Sequence, residues 1–417
     1  MMGAGRGFQK KNKRGDSVHV KARLGVMGKI TFKSTKLSES TLDGKTWLAM
    51  APHFESVYII GLSPDFRCRR GKTNNVALYL LPRFPGLLGG LVYLFWGSVL
   101  ALALTYRYGI SGWSLSEPVS GLVAFPLRWF TKTKLIFQLQ GELFHLPTQA
   151  YARWKTKAVA IVARLVCSTC DRVRAVSHRV RDQAVAAGIP AEKIEVIPSR
   201  TDTTLFDPER YRASRFELRQ SLGVRPDEAL IVFVGRLVPT KGVTYLLQAA
   251  ARLTEIRSDF RVLIVGGGPL RERLEEEAKD RGIGHLVTFF GPVPYQQVPR
   301  ILSAGDVFVA PSLDEGMPRA VLEALSMSLP VVVTDVGGNR EILSGADCGY
   351  LLPPRDVEGI VEALNTLLTD RDEAAAKGRR GRVMVVQRYE LTKSIAALAS
   401  FHKEVLLGGR LLRVGDT

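Results

Sequence analysis

The order of apolar and polar positions predicts a chain in which short buried strands alternate with amphipathic helices. Ala229–Val234, Val307–Ala310 and Val331–Thr334 are nearly continuous apolar runs, which is typical of strands covered on both faces of a parallel sheet. Further strands are predicted at Lys29–Lys33, Ser56–Leu62, Val76–Leu81, Gly109–Trp113, Lys134–Leu139, Arg172–Val176, Ile194–Ile197, Arg261–Val265 and Val287–Phe290. The alternation predicts an α/β fold built on open parallel sheets.

The length of 417 residues predicts two domains, and an apolar fraction of 46% is sufficient for two cores. We place a basic, disordered extension at residues 1–26, a first domain at 27–208 and a second domain at 209–384. The amphipathic tail at about 385–407 is expected to pack back onto the first domain. Met27 stands just before the first predicted strand and is an alternative start of translation.

The net charge of +18 comes from the first half of the chain. Residues 1–215 carry 33 Lys and Arg against 14 Asp and Glu, whereas residues 216–417 carry 25 against 26. Such an excess suits nucleic acid, an anionic membrane or an acidic substrate. Since no helix-turn-helix, zinc-finger or RRM signature accompanies the charge, we expect an anionic membrane surface rather than nucleic acid.

One segment bears on the membrane directly. Gly86–Tyr106 contains no charged residue and is flanked by Arg83 and Arg107, so its length could span a bilayer. A spanning helix would put the preceding and following strands of one domain on opposite sides of the membrane. We therefore predict a core or membrane-contacting helix, with basic residues docking on acidic lipid and the protein peripheral on the cytoplasmic face of the cell membrane.

Cysteine usage predicts a reducing compartment, because four cysteines are too few for a disulfide scaffold of this size. Cys167 and Cys170 form a C-x-x-C pair, but no second pair accompanies them and they lie in a helical pattern. A zinc or redox site is therefore disfavoured, and no metal site is predicted.

The segment from Ala310 to Glu341 carries the candidate chemistry. A buried strand ends at Ala310, and a helical pattern begins at Arg319, so that strand, loop and helix meet at Glu315 and Gly316. Gly316 allows close approach of a ligand to the backbone, and the free N–H groups of a helix start suit a phosphate. Glu323 interrupts the apolar start of this helix, and a buried carboxylate there needs a partner such as the hydroxyls of a ribose. The alternative is that Glu323 lies on a solvated stripe, that Glu315 is merely favoured near a helix N-terminus, and that their spacing is coincidence.

EGMPRAVLEAL at 315–325 and PVVVTDVGGNREI at 330–342 resemble the Glu-x7-Glu segment of retaining GT-B glycosyltransferases of family 4. The resemblance extends from about Met27 to the C-terminus and includes Gly235-Arg236-Leu237 and Lys241-Gly242. It implies two Rossmann-like domains that face a central cleft. It also implies a UDP- or GDP-linked sugar as substrate, with no separate cofactor.

The resemblance assigns roles to individual residues. Arg236 and Lys241, after Gly235, would hold the donor diphosphate, which suits a forked guanidinium and a mobile ammonium. Glu315 would contact the transferred sugar and Glu323 the ribose, while the backbone N–H groups of Gly316 and Met317 would meet sugar and phosphate. The implied catalytic residues are Arg236, Lys241 and Glu315.

The first domain departs from the family pattern at its side of the cleft. The loop between the first strand and helix holds only one glycine, Gly44, although Lys45 could compensate as a point charge. Gln140 stands where the family often has a histidine, and an amide cannot take a proton near neutral pH. Glu142 and His145 are the other candidates for contact with the acceptor.

The sequence thus predicts retaining transfer of a hexose from a nucleoside diphosphate sugar to a hydroxyl, on a lipid-linked or cell-envelope glycan. Two alternatives stay open. One is a nucleotide-sugar hydrolase or epimerase of the same fold, and the other is a catalytically silent, membrane-associated scaffold.

Overall fold

A computed structural model describes residues 10–11, 17–18, 22–31, 37, 42–141, 143–144 and 153–408. Two parallel sheets dominate it, as the buried apolar runs predict. The first domain contains β1 (Lys10–Lys11), β2 (Ser17–Val18), β3 (Arg23–Thr31), α1 (Leu42–Met50), β4 (Ser56–Leu62), β5 (Arg69–Thr73), β6 (Val76–Leu81), α2 (Gly86–Tyr108), β7 (Gly112–Leu115), α3 (Pro118–Phe130), β8 (Lys134–Leu139), α4 (Arg153–Thr169), β9 (Arg172–Ala175), α5 (His178–Ala186) and β10 (Ile194–Val196).

The second domain continues the alternation. It contains α6 (Arg212–Ser221), β11 (Ala229–Val234), α7 (Val243–Leu253), β12 (Phe260–Val265), α8 (Arg271–Asp280), β13 (Val287–Gly291), α9 (Val298–Ala304), β14 (Val307–Ala310), α10 (Arg319–Ser326), β15 (Val331–Thr334), α11 (Asn339–Leu343), β16 (Gly349–Leu352), α12 (Val357–Thr369) and α13 (Arg371–Arg388). The last helix, α14 (Leu391–Leu407), follows.

The first sheet has the order β10-β9-β8-β7-β3-β4-β6-β5, and the second has the order β13-β12-β11-β14-β15-β16. Within these two sheets all pairs are parallel except the one between β5 and β6, where the polar segment Arg69–Thr73 forms an exposed antiparallel edge; β1 and β2 form a separate antiparallel pair. Helices cover both faces of each sheet in the doubly wound manner that the strand and helix alternation predicts. The GT-B architecture expected from the sequence is therefore confirmed.

The first strand begins earlier than predicted. It runs from Arg23 to Thr31 rather than from Lys29 to Lys33, because Leu24 and Val26 are completely buried between β4 and β7. The prediction of a disordered extension through residue 26 is therefore wrong for residues 23–26. Translation from Met27 would remove the first half of this central strand.

The helix α2 connects β6 with β7, two parallel strands of one sheet, and packs against α3. It is long and apolar enough to cross a membrane by length and composition, yet only 28% of that stretch is buried. Tyr93, Ala101 and Leu104 face the core, whereas Leu88, Leu91, Phe95 and Val99 form an exposed stripe one helical face wide. This stripe has no covering element among the described residues.

The last helix returns to the first domain. Ile395, Leu398 and Phe401 of α14 are buried in the same cluster as Trp47 of α1 and Ile136 of β8. α14 begins at Leu391 rather than near residue 385, because the chain turns at Tyr389 and Glu390 after α13. The C-terminal helix thereby ties the two domains together.

Candidate active site

A cavity of about 690 Å³ opens between the carboxyl ends of the two sheets, where ligands of open α/β folds bind. Its walls come from the residues after β8, β9, β11 and β14. The charged residues that line it are Lys45, Arg174, Arg200, Arg236, Lys241 and Arg319, together with Glu117, Asp202 and Glu315. Six basic side chains against three acidic ones make the cavity suitable for a phosphorylated ligand.

Glu315 is held at the centre of the second-domain wall. Its Oε1 accepts a hydrogen bond from Lys241 Nζ at 2.5 Å and another from Ser312 Oγ at 2.8 Å. The strand β14 ends at Ala310, Pro318 precedes the first turn of α10, and the loop between them carries the carboxylate into the cleft. Two donors on one oxygen fix the orientation of this side chain.

Glycines allow the loops of this wall to approach one another. Gly242 and Gly337 have left-handed φ angles of 61° and 53°, which favour glycine. A Cβ atom on Gly337 would overlap the carbonyl oxygens of Glu315 and Gly316. A Cβ atom on Gly316 would in turn overlap the carbonyl of Gln140, so this glycine allows the second-domain loop to approach the first domain closely.

Glu323 has a protein partner. Its side chain is buried, and Oε1 accepts a hydrogen bond from the hydroxyl of Tyr295 at 3.1 Å. Burial raises the pKa of this carboxyl, although Arg319 and the tyrosine hydroxyl oppose the shift. Tyr295 lines the cavity whereas Glu323 does not, so a ribose reaching this carboxylate would share it with Tyr295 or displace the tyrosine hydroxyl.

The structure brings most of the predicted donor residues together. Gly235, Arg236, Gly316 and Met317 all line the cavity with Lys241 and Glu315. Arg236 is exposed directly after β11, whereas Met317 is buried against Gly338. Of the three acceptor-side residues predicted after β8, Gln140 lines the cavity. Glu142 and His145 lie outside the described residues.

The first-domain wall contains a polar network that the sequence did not reveal. The Arg174 guanidinium on β9 donates hydrogen bonds to Gln138 Oε1 at 3.0 Å and to the carbonyls of Ile197 and Pro198 at 2.8 and 3.0 Å. His402 of α14 contacts Gln138 Nε2 at 3.3 Å and Ser114 Oγ at 3.2 Å. All four side chains are buried.

The network residues had one signal in the sequence. Gln138 and Arg174 are polar residues inside strands that otherwise read as buried and apolar, and a polar side chain there requires partners. The partner His402 lies 264 positions away from Gln138, so no local pattern could have identified it.

Cys167 and Cys170 are free and buried in α4 and just after it. Burial raises the pKa of Cys167 to about 12 and that of Cys170 further, so neither thiol is reactive near neutral pH. Within the part of the chain that the structure describes, no cluster of three or more His, Cys, Asp or Glu side chains is placed to hold a metal ion.

Two family models match the chain. "Glycosyl transferases group 1" matches residues 214–384, and "Glycosyl transferase 4-like domain" matches residues 49–200. The first match contains every predicted donor residue, and the second contains the wall with Gln138 and Arg174. The division between the two matches corresponds to the two sheets.

Curated relatives match over about two thirds of their length. A GDP-mannose-dependent alpha-(1-6)-phosphatidylinositol monomannoside mannosyltransferase of Mycolicibacterium smegmatis is 33% identical over 265 residues, which are 62% of this chain and 67% of the relative. An alpha-D-kanosaminyltransferase of Streptomyces kanamyceticus is 28% identical over 273 residues, 66% of this chain and 69% of the relative.

Solved structures share the fold across nearly the whole chain. Sucrose-phosphate synthase of Thermosynechococcus elongatus has a TM-score of 0.79 at 19% identity and covers 93% of this chain and 100% of its own. An Anabaena protein, HepE, solved with UDP and glucose, has a TM-score of 0.73 at 19% identity and covers 92% and 100%.

Proposed function

This chain belongs to the glycosyl transferases group 1 family of nucleotide-sugar-dependent glycosyltransferases, and we propose that it moves a hexose from a nucleoside diphosphate sugar to a hydroxyl with retention of configuration. The observation that carries the proposal is the Lys241–Glu315 ion pair, which lies in the cleft beside Arg236. A cation for the leaving diphosphate and a carboxylate for the sugar are thereby adjacent.

In the proposed reaction, the bond between the anomeric carbon and the diphosphate oxygen breaks while a bond to the acceptor oxygen forms on the same face of the sugar. The acceptor proton passes to the leaving phosphate. Arg236 and Lys241 stabilise the charge that develops on the diphosphate, without a metal ion. Glu315 orients the sugar and Glu323 the ribose.

This scheme needs no protein base, and therefore Gln140 at the domain contact is compatible with catalysis. An amide at this position can donate a hydrogen bond to the sugar or the acceptor without exchanging a proton. The domain contact at Gly316 brings the backbone of Gln140 against the Glu315 loop, so closure of the cleft would complete the site from both domains.

The test is a thermal-shift screen of UDP, GDP, ADP and their sugars in the presence of a chelator, comparing the wild type with Glu323→Ala. Ligand at 100 times its dissociation constant stabilises by about 2.7 kcal/mol. A shift with one base that is weakened in the variant supports the donor site. No shift with any nucleotide, from a folded sample, would favour a silent scaffold instead.

Chemistry is tested separately from binding. Incubation of the wild type with the stabilising nucleotide sugar and cell-envelope lipid extract should give a glycosylated product whose anomeric configuration matches the donor. Free sugar alone would indicate a hydrolase, and an altered donor sugar would indicate an epimerase. Activity lost in chelator and restored by divalent ions would contradict the metal-free scheme.

We also propose that the protein docks on an anionic membrane and acts on a lipid-linked acceptor. The exposed stripe of α2 supports this, because Leu88, Leu91, Phe95 and Val99 are 43–63% exposed on one helical face. Trp129 and Phe130, 81% and 62% exposed, end α3.

Positive charge accompanies these apolar groups. Arg128 and Lys132 flank the two aromatic residues of α3. The hydroxyl of Tyr106 in α2 donates a hydrogen bond to the carbonyl of Phe130, and this bond joins the ends of the two helices. Aromatic rings bordered by basic residues suit the interface of an anionic bilayer. The name of the mycobacterial relative includes a phosphatidylinositol acceptor, which is consistent with a substrate presented at such a surface.

A further inference from the structure

The first-domain wall of the cleft contains a buried positive charge with no carboxylate partner in the part of the chain that the structure describes. The Arg174 side chain is 5% exposed and bonds only to two carbonyl oxygens and one amide oxygen. Within the described residues no ion pair includes it. A buried cation that is paired only with neutral groups is costly, and this cost calls for a functional explanation.

Two further arginines approach the same place. Arg200 lines the cavity, and its Nη2 donates a hydrogen bond to Thr46 Oγ1 at 3.1 Å, while Arg319 lines it from the second domain. Burial, followed by the charges of Arg200 and Arg319, lowers the pKa of Arg174 to about 9. The charges of Arg200 and Arg319 therefore each repel that of Arg174, and all three residues line the same cavity.

Asp202, an acidic residue on the same wall, is engaged by groups of its own domain. Asp202 forms an ion pair with Lys45 and accepts hydrogen bonds from the backbone N–H groups of Thr204 and Leu205. Glu117 is the other carboxylate on this wall. The carboxylate of Asp202 is thus already neutralised by a lysine.

The position of the Arg174 guanidinium is fixed by its hydrogen bonds. Gln138, which accepts from Arg174, also donates to Ser114 Oγ at 3.1 Å, and both contact His402 from α14. The carbonyls of Ile197 and Pro198 hold the other edge of the guanidinium. A rigid forked donor that retains unused N–H groups at a cavity wall matches the oxygens of a phosphate.

We propose that Arg174 and Arg200, with Arg319 from the opposite wall, bind a phosphate group of the acceptor. The inference rests on the proposed function, because it assigns the charge of the acceptor in that reaction. The donor diphosphate is assigned to Arg236 and Lys241 of the second domain, so the cleft contains two anion sites, one on each wall. The phosphate could belong to a phospholipid headgroup or to a soluble sugar phosphate.

The experiment uses the full-length protein saturated with the nucleoside diphosphate that stabilises it, so that the donor site is filled. Inorganic phosphate is titrated by calorimetry at constant ionic strength into the wild type, Arg174→Gln and Arg200→Gln. Arg172→Gln is the matched control, because Arg172 lies on the same strand but donates to the carbonyl of Glu192. Arg200 is only half-buried, so Arg200→Gln is expected to fold and still tests the proposal if Arg174→Gln does not fold.

We expect saturable phosphate binding to the wild type and to Arg172→Gln, and a Kd at least tenfold higher for Arg200→Gln and Arg174→Gln. Absence of binding, or equal binding in all four proteins, would overturn the proposal. If no nucleotide binds at all, the proposed function fails. Titration of phosphate into the nucleotide-free wild type and variants then still measures whether the arginines bind phosphate.

Two matched pairs of ligands then identify the source of the phosphate. Glycerol 3-phosphate is compared with glycerol, and short-chain phosphatidylglycerol with the corresponding diacylglycerol. Stronger binding of the phospholipid than of glycerol 3-phosphate indicates a lipid headgroup, and the reverse order indicates a soluble phosphate. Equal binding of charged and neutral members within both pairs would contradict recognition of the phosphate.

Discussion

The ammonium nitrogen of Lys241 lies 2.5 Å from the carboxylate oxygen Oε1 of Glu315, although 74 positions separate the two residues in the chain. The side chains are 22% and 11% exposed, so the pair is partly shielded from solvent. It joins the loop after β11 to the loop after β14, which are neighbouring strands. A donor diphosphate that binds Lys241 must therefore share this ammonium with Glu315.

Replacement of Lys241 should impair transfer more than stability. We expect Lys241→Ala to lower kcat about 10²–10³-fold, the usual effect of removing one donor to a developing oxyanion. The melting temperature should change little, because partly exposed ion pairs contribute about 0–1 kcal/mol. Lys279→Ala, an exposed lysine on α8, is the control in both assays, and an unchanged kcat for Lys241→Ala would exclude the assigned role.

Replacement of Glu323 should separate binding from stability. Burial raises the pKa of Glu323, so the folded protein holds this proton more tightly than the unfolded chain, and the resulting stability is lost as pH rises through the raised pKa. Glu323→Gln should therefore be at least as stable as the wild type near pH 7, while binding the nucleotide about tenfold more weakly.

Urea denaturation near pH 5 and pH 7 and nucleotide titration measure these two properties of the Glu323 variant. The advantage of Glu323→Gln over the wild type should be larger at the higher pH. Glu362→Gln, an exposed glutamate of α12, should alter neither stability nor binding. A variant that is less stable than the wild type but binds nucleotide normally would contradict the ribose assignment.

Substitution of Gly337 should disturb the Glu315 loop. Gly337 and Gly345 both have left-handed φ angles, 53° and 73°, but a Cβ atom overlaps backbone only at Gly337. Each alanine variant should lose about 1 kcal/mol from backbone strain. Gly337→Ala should lose a further 1–3 kcal/mol from overpacking and at least tenfold in kcat. Equal stability and activity of the two variants would rule out the steric role.

The apolar face of α2 should govern membrane binding. Leu91→Glu combined with Phe95→Glu should reduce co-flotation with vesicles containing phosphatidylglycerol about tenfold or more, because the substituted groups lose apolar contact and repel anionic lipid. Phe216→Glu is the control, since Phe216 is 69% exposed on the second domain. Wild-type protein that stays in solution beside these vesicles at physiological salt would exclude membrane docking.

The buried imidazole of His402 should make the protein sensitive to acid. Burial lowers the pKa of His402 to about 4, so its contribution to stability is complete above the ordinary histidine pKa and is lost as pH falls toward 4. Between pH 7 and pH 5 the wild type should lose on the order of 2 kcal/mol through this group. His402→Gln should remove that part of the pH dependence in urea denaturation.

The exposed His285 supplies the comparison for the acid sensitivity. His285→Gln should keep the wild-type loss of stability between pH 7 and pH 5, because it leaves the buried imidazole of His402 in place. If His402→Gln and His285→Gln behaved alike, the source of the acid sensitivity would lie elsewhere.

The local pattern located most strands correctly. β4, β6, β8, β11, β14 and β15 have the predicted bounds. The pattern failed where burial or backbone geometry departed from it. β7 begins at Gly112 rather than at Gly109, because Gly109 ends α2 with a left-handed φ of 60°. β5 was missed since Arg69–Thr73 is a polar, exposed edge.

The sequence alone determined the α/β class, the family and the candidate donor residues, because buried strands, helix starts and the spacing of Glu315 and Glu323 are local properties of the chain. Only the tertiary structure decided which distant side chains meet. Lys241 faces Glu315, Tyr295 covers Glu323, and His402 reaches Gln138 beside the buried guanidinium of Arg174. These contacts depend on how the helices and loops pack around both sheets, and that packing is set by the whole core rather than by any one segment.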